Sequence, residues 1–62
     1  MKVSELVKRL KASKKCSLIE HGAKHDIWYS EITAKYFPVP RHQSRDIKTG
    51  TLERILKDAG LK

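Results

Sequence analysis

Apolar residues fall at helical spacing near both ends of the chain and at strand spacing between them. Val3, Leu6, Val7 and Leu10 share one face of a helix. Ser4 is placed to cap that helix, Glu5 sits in the first turn near the positive end of the dipole, and the helix is expected to end around Ser13. Leu52, Ile55, Leu56 and Ala59 recur at i, i+3, i+4 and i+7. Thr49-Gly50-Thr51 introduces this second helix and Gly60 is its natural stop.

The middle of the chain is rich in strand formers. Cys16 to His21 predicts a first strand, with Leu18 and Ile19 supplying apolar groups, and Gly22-Ala23 makes a tight turn into a second strand, His25 to Ser30. The polar run EITAK then leads to YFPVPRH, a third extended run ending in Arg41 and His42. Pro38 and Pro40 cannot donate to a ladder, so this run is expected at a sheet edge or to break off early. A polar loop from Arg41 to Lys48 precedes the second helix.

The second strand divides into two faces. His25, Ile27 and Tyr29 share one, and Asp26, Trp28 and Ser30 share the other. Apolar counting buries Ile27 and Tyr29 and leaves His25 at the rim of the core. A buried Trp28 instead places His25 on the open face, and the large area that one Trp offers for burial favours this arrangement. Stacking of Trp28 on a nucleic-acid base is the competing use of that ring. The order helix, three strands, helix predicts an α+β fold, with two helices covering one face of a three-stranded antiparallel sheet. No repeat, low-complexity segment or linker divides the chain, so residues 1–62 read as one domain.

Length and charge narrow the function. A chain of 62 residues buries only about 60% of its unfolded surface, so the core must be simple. Cys16 stands alone and can form no intramolecular disulfide; with no Cys/His cluster nearby, it reads as a small buried hydrophobe in a reduced, cytoplasmic setting. No apolar run approaches the roughly 20 residues that span a bilayer, and no signal-peptide pattern opens the chain, so no membrane partner is expected. The net charge of +7, from 14 Lys and Arg against 7 Asp and Glu, favours a polyanionic partner: nucleic acid or an acidic protein. In residues 1–15, Lys2, Lys8, Arg9, Lys11, Lys14 and Lys15 face a single acid, Glu5. That imbalance makes Lys8, Arg9, Lys11, Lys14 and Lys15 candidates for contacts to an RNA backbone.

The candidate chemistry lies between His21 and His42. Histidine exchanges a proton near neutral pH without help, and His25 and His42 lie at the edges of the hairpin. RNA carries its own nucleophile, the 2′-OH beside each phosphate. Its cleavage needs a base, an acid for the leaving 5′-oxygen and positive charge for the developing dianion. Histidine with Lys and Arg is sufficient, and no metal or cofactor is required. Paired carboxylates of the kind used by metal-dependent nucleases are absent from the sequence, as is a phosphate-binding glycine loop. Lys24, next to His25, and Arg41 and His42, at the end of the neighbouring strand, are candidate phosphate contacts, with a structural role or a second proton-transfer role as the alternatives for His42. His21 and His25 are four residues apart but flank a glycine turn, so the spacing carries no metal-ligand meaning.

Gly22-Ala23-Lys24-His25 leading into Asp26-Ile27-Trp28, then Val39-Pro40-Arg41-His42, Ile47 to Leu52 and Ile55 to Gly60 together resemble the HicA family over nearly the whole chain. The chain departs from the family's commoner form, Gly-Ser directly before the histidine, by placing Ala23 and Lys24 there. The resemblance implies a double-stranded-RNA-binding-like fold, a toxin that cleaves mRNA as a metal-independent endoribonuclease, and His25 as its catalytic histidine. It also implies a cognate antitoxin of the HicB type, which the basic charge makes an acidic partner, and a free toxin that is a monomer. A non-catalytic RNA-binding module of the same fold and a pure interaction protein are the other two classes the sequence allows.

Overall fold

The computed structural model describes residues 1–42 and 44–62. Its elements follow the expected order: α1 (Val3–Ser13), β1 (Cys16–His21), β2 (His25–Ser30), β3 (Lys35–Pro40) and α2 (Thr49–Ala59). The strands form one antiparallel sheet in the order β1-β2-β3, with β2 in the centre.

Both helices press on the same face of the sheet. Val3, Leu6 and Leu10 of α1 and Ile55, Leu56 and Ala59 of α2 join Cys16, Trp28, Phe37 and Val39 in a single buried cluster. Trp28 pairs with Phe37 across the β2–β3 ladder, and the two rings are 3% and 1% exposed. The choice between the faces of β2 is thereby settled: Trp28 belongs to the core and is not available to stack a base. Ser30, fully buried on the same face, donates its hydroxyl to the Ala59 carbonyl at 2.6 Å and so ties β2 to the end of α2. Cys16 is buried, as its apolar character predicts.

Both helix ends follow the sequence. Lys14 adopts a left-handed conformation after α1, and Gly60 does the same after α2 at φ 77°. A Cβ on Gly60 would lie 2.5 Å from the Ile32 side chain, so close packing adds to the backbone requirement there. β3, with its two prolines, is an edge strand, as expected.

Three local details differ from expectation. Ser4 does not cap α1: the cap position lies two residues earlier, at Lys2, with no side-chain cap. The loop supplies the partner instead, since the Val3 amide donates to the Arg45 carbonyl at 2.9 Å and the Ile47 amide to the Met1 carbonyl at 2.9 Å. Leu18 and Ile19 do not enter the core: they are 41% and 53% exposed. Leu18 still pairs with the core residue Trp28, but β1 is an edge strand and leaves it partly uncovered, while Ile19 sits at the bulge between Leu18 and Glu20, where successive side chains cannot share one face. Finally, β3 stops at Pro40, so Arg41 and His42 lie just beyond the ladder.

Candidate functional site

β2 begins where the site is built. His25 is exposed and lies directly opposite Pro40 in the β2–β3 ladder. The turn before it is tight: the Gly22 amide donates to the His25 carbonyl at 2.9 Å. This turn does not send Lys24 away from His25. Both residues line a cavity of about 520 Å³ together with Pro40, His42, Arg45, Lys48 and Thr51. A neighbouring hollow is lined by Ala23, Lys24, Arg41 and His42. A third, of about 500 Å³, runs from His25 along Tyr36 and Pro38 to Thr51, Arg54 and Asp58 of α2. His25 is common to the first and third cavities, and Lys24 and His42 to the first and second.

Arg45, Lys48, Thr51 and Arg54 carry no functional mark in the sequence pattern. They reach the site because the segment before α2 is pinned to the start of α1: a short antiparallel bridge pairs Lys2 with Asp46, and Ile47 is buried beneath it. The periodicity of that segment is that of a loop, so its docking was legible only in the small apolar signal of Ile47. The resulting lining carries Lys24, Arg45 and Lys48 against one acid, Asp46, a balance suited to a phosphate.

Arg41 stands differently from the other cations. Its Nη1 donates to the Gly22 carbonyl at 2.7 Å, and its Nε lies 3.3 Å from Asp26 Oδ1. The same oxygen accepts from His21 Nδ1 at 3.0 Å. His21 is thereby engaged with a carboxylate beside the turn. Among the described residues no group of three or more His, Cys, Asp or Glu side chains is arranged to hold a metal ion.

The basic residues of α1 lie elsewhere. Lys8, Arg9, Lys11, Lys14 and Lys15 are exposed, and none lines the cavities around His25. Only Val3, at the opposite end of the helix, reaches the first cavity. The helix from Val3 to Ser13 is roughly 15 Å long at the standard rise, which separates Lys14 and Lys15 from the histidine.

An arrangement of an exposed imidazole on a rigid strand, next to a cationic hollow, can transfer a proton beside a bound phosphate. The family model described as HicA toxin of bacterial toxin-antitoxin matches residues 3–61. The chain belongs to the HicA toxin family and is thus the toxin of a toxin–antitoxin system. Comparison with curated proteins and with solved structures finds no significant match. Among the described residues no helix is long and apolar enough to cross a membrane.

Proposed function

We propose that this toxin is a metal-independent endoribonuclease that cleaves mRNA, with His25 as general acid/base and an acidic antitoxin of the HicB type as its partner. The supporting observation is that His25 joins two cavities, the first of which also carries Lys24, Arg45, Lys48 and His42. In the reaction, the 2′-oxygen of the substrate attacks the adjacent phosphorus as its proton is removed. The 2′-O–P bond forms, the P–O5′ bond breaks, and the 5′-oxygen leaves with a proton. His25 handles a proton in this exchange, while Lys24, Arg45 and Lys48 offset charge on the non-bridging oxygens. His42, which lines the same cavity, contacts phosphate. Products carry 2′,3′-cyclic phosphate or 3′-phosphate ends, because the nucleophile belongs to the substrate.

Incubation of the purified toxin with end-labelled single-stranded RNA in EDTA tests this reading. Cleavage is expected, with those ends, and expression of the wild type should arrest growth. Replacing His25 by Ala should lower the rate about 10²- to 10⁴-fold while RNA binding, which rests on Lys and Arg, survives. Cleavage by a folded His25→Ala variant at the wild-type rate would overturn the assignment. Retention of RNA without cleavage would make the protein an RNA-binding module. Neither cleavage nor binding would leave a basic surface that docks an acidic partner.

A further inference from the structure

Asp26 is out of place for an RNA-binding surface. It follows His25 directly, its side chain is only 19% exposed, and it sits at the end of the central strand in a chain with net charge +7. A carboxylate beside a phosphate site repels substrate, and a half-buried one is costly unless paired. Its contacts account for it. Oδ1 takes the His21 Nδ1–H at 3.0 Å and lies 3.3 Å from Arg41 Nε, so one oxygen joins the last residue of β1, the start of β2 and the first residue after β3. Arg41 directs a second donor to the Gly22 carbonyl. Gly22 is thus held on both sides, its carbonyl by Arg41 and its amide by the His25 carbonyl. The guanidinium makes one hydrogen bond and one ion pair within the protein, although its side chain stays 44% exposed.

We infer that Asp26 and Arg41 are positioning residues: the carboxylate aims the guanidinium, the guanidinium fixes the Gly22–His25 turn to the end of β3, and the turn holds Lys24 and His25 over the cationic cavity. His21 completes the carboxylate's shell. The inference rests on the nuclease reading for its kinetic consequence, but not for its structural content. It reverses the expectation that Arg41 serves as a phosphate contact. A planar guanidinium can direct one N–H to the Gly22 carbonyl while its charge lies against Asp26, and the point charge of a lysine ammonium does not reproduce that geometry.

Steady-state cleavage of a short single-stranded RNA by the full chain, with binding measured across salt concentrations, separates the two roles. For positioning, Arg41→Ala should lower kcat about 10- to 100-fold with KM little changed, the scale associated with misplacing a reacting group by about 1 Å. Arg41→Lys should fail to restore kcat although it keeps the charge. Asp26→Ala should reproduce the loss, and the double variant should be no worse than either single one, since the two side chains act as a unit. For a phosphate contact, Arg41→Ala should raise KM and flatten the salt dependence by about 0.7, Arg41→Lys should largely rescue it, and Asp26→Ala should tighten RNA binding. That pattern would overturn the inference. Amide hydrogen exchange at Gly22 in the folded Arg41→Lys variant is independent of catalysis: exchange should quicken at Gly22 and not in the α1 core. Unchanged exchange would also overturn it. If the wild type cleaves no RNA, the nuclease reading fails and the exchange experiment still decides the clamp.

Discussion

The Gly22 amide donates to the His25 carbonyl at 2.9 Å, and a Cβ at position 22 would clash with that same carbonyl oxygen. The atom in the way is backbone, so no side-chain rotation relieves the clash. Gly22→Ala should therefore move the strand start that carries His25. The expected cost is about 1–3 kcal/mol of stability, the usual range for overpacking, together with a fall in cleavage rate. Urea unfolding and kinetics on the same preparation check both. A Gly22→Ala protein with wild-type stability and rate would mean that the turn has a second geometry that leaves His25 in place.

Ser30 offers a stability test far from the cavities. Its hydroxyl donates to the Ala59 carbonyl at 2.6 Å and accepts from the Ile32 amide at 3.2 Å, all at zero exposure for Ser30. Ser30→Ala leaves these backbone groups without their partner, at about 1–3 kcal/mol. In a domain this small that is a large share of the total. The midpoint of urea unfolding should drop with an unchanged slope, and His25-dependent chemistry should continue in whatever fraction stays folded. A midpoint equal to that of the wild type would show that water or a shifted backbone replaces the hydroxyl.

These residues also show what was legible in the chain. The α2 face was plain because Leu52, Ile55, Leu56 and Ala59 repeat at helical spacing and Gly60 stops them, all local signals. Trp28 could be placed on the core side by the size of its ring, and the edge position of β3 by two prolines. The cationic cavity was not legible beyond Lys24 and His42. Arg45 and Lys48 depend on the pairing of Lys2 with Asp46, a contact between segments more than forty positions apart in the chain. The Arg41–Asp26 ion pair was not legible either, because Asp26 becomes a neighbour of Arg41 only through the β2–β3 register. Neither the bulge at Ile19 nor the exposure of Leu18 on the edge strand has a mark in the pattern of apolar residues.

The partner proposed above is an acidic antitoxin of the HicB type, with the basic cavity as the surface proposed to receive it. If it acts by occlusion, the complex should protect His25, and His42 in the same cavity, from diethyl pyrocarbonate while His21, which lines none of these cavities, serves as the internal comparison by mass spectrometry. Charge should govern encounter, so association should slow as salt rises. Full reactivity of His25 in a tight complex would exclude occlusion and require that the antitoxin act from another surface.

Two groups of cations now compete for the RNA backbone, and salt dependence distinguishes them. Arg45 and Lys48 line the cavity with His25; Lys14 and Lys15 follow the far end of α1. Removing one cation that neutralises a phosphate should flatten log K against log salt by roughly 0.7 for a single strand. Replacing Arg45 and Lys48 together with Gln should flatten the slope by about 1.4 on that basis. It should also slow cleavage at saturating RNA, because these charges face the reacting phosphate. Replacing Lys14 and Lys15 with Gln should flatten the slope by a similar amount if the strand continues along α1, yet leave the saturated rate alone, since the charges sit a helix length from the histidine. A slope unchanged by the Arg45/Lys48 pair would remove the cavity from the RNA path, and with it the placement of the scissile phosphate beside His25.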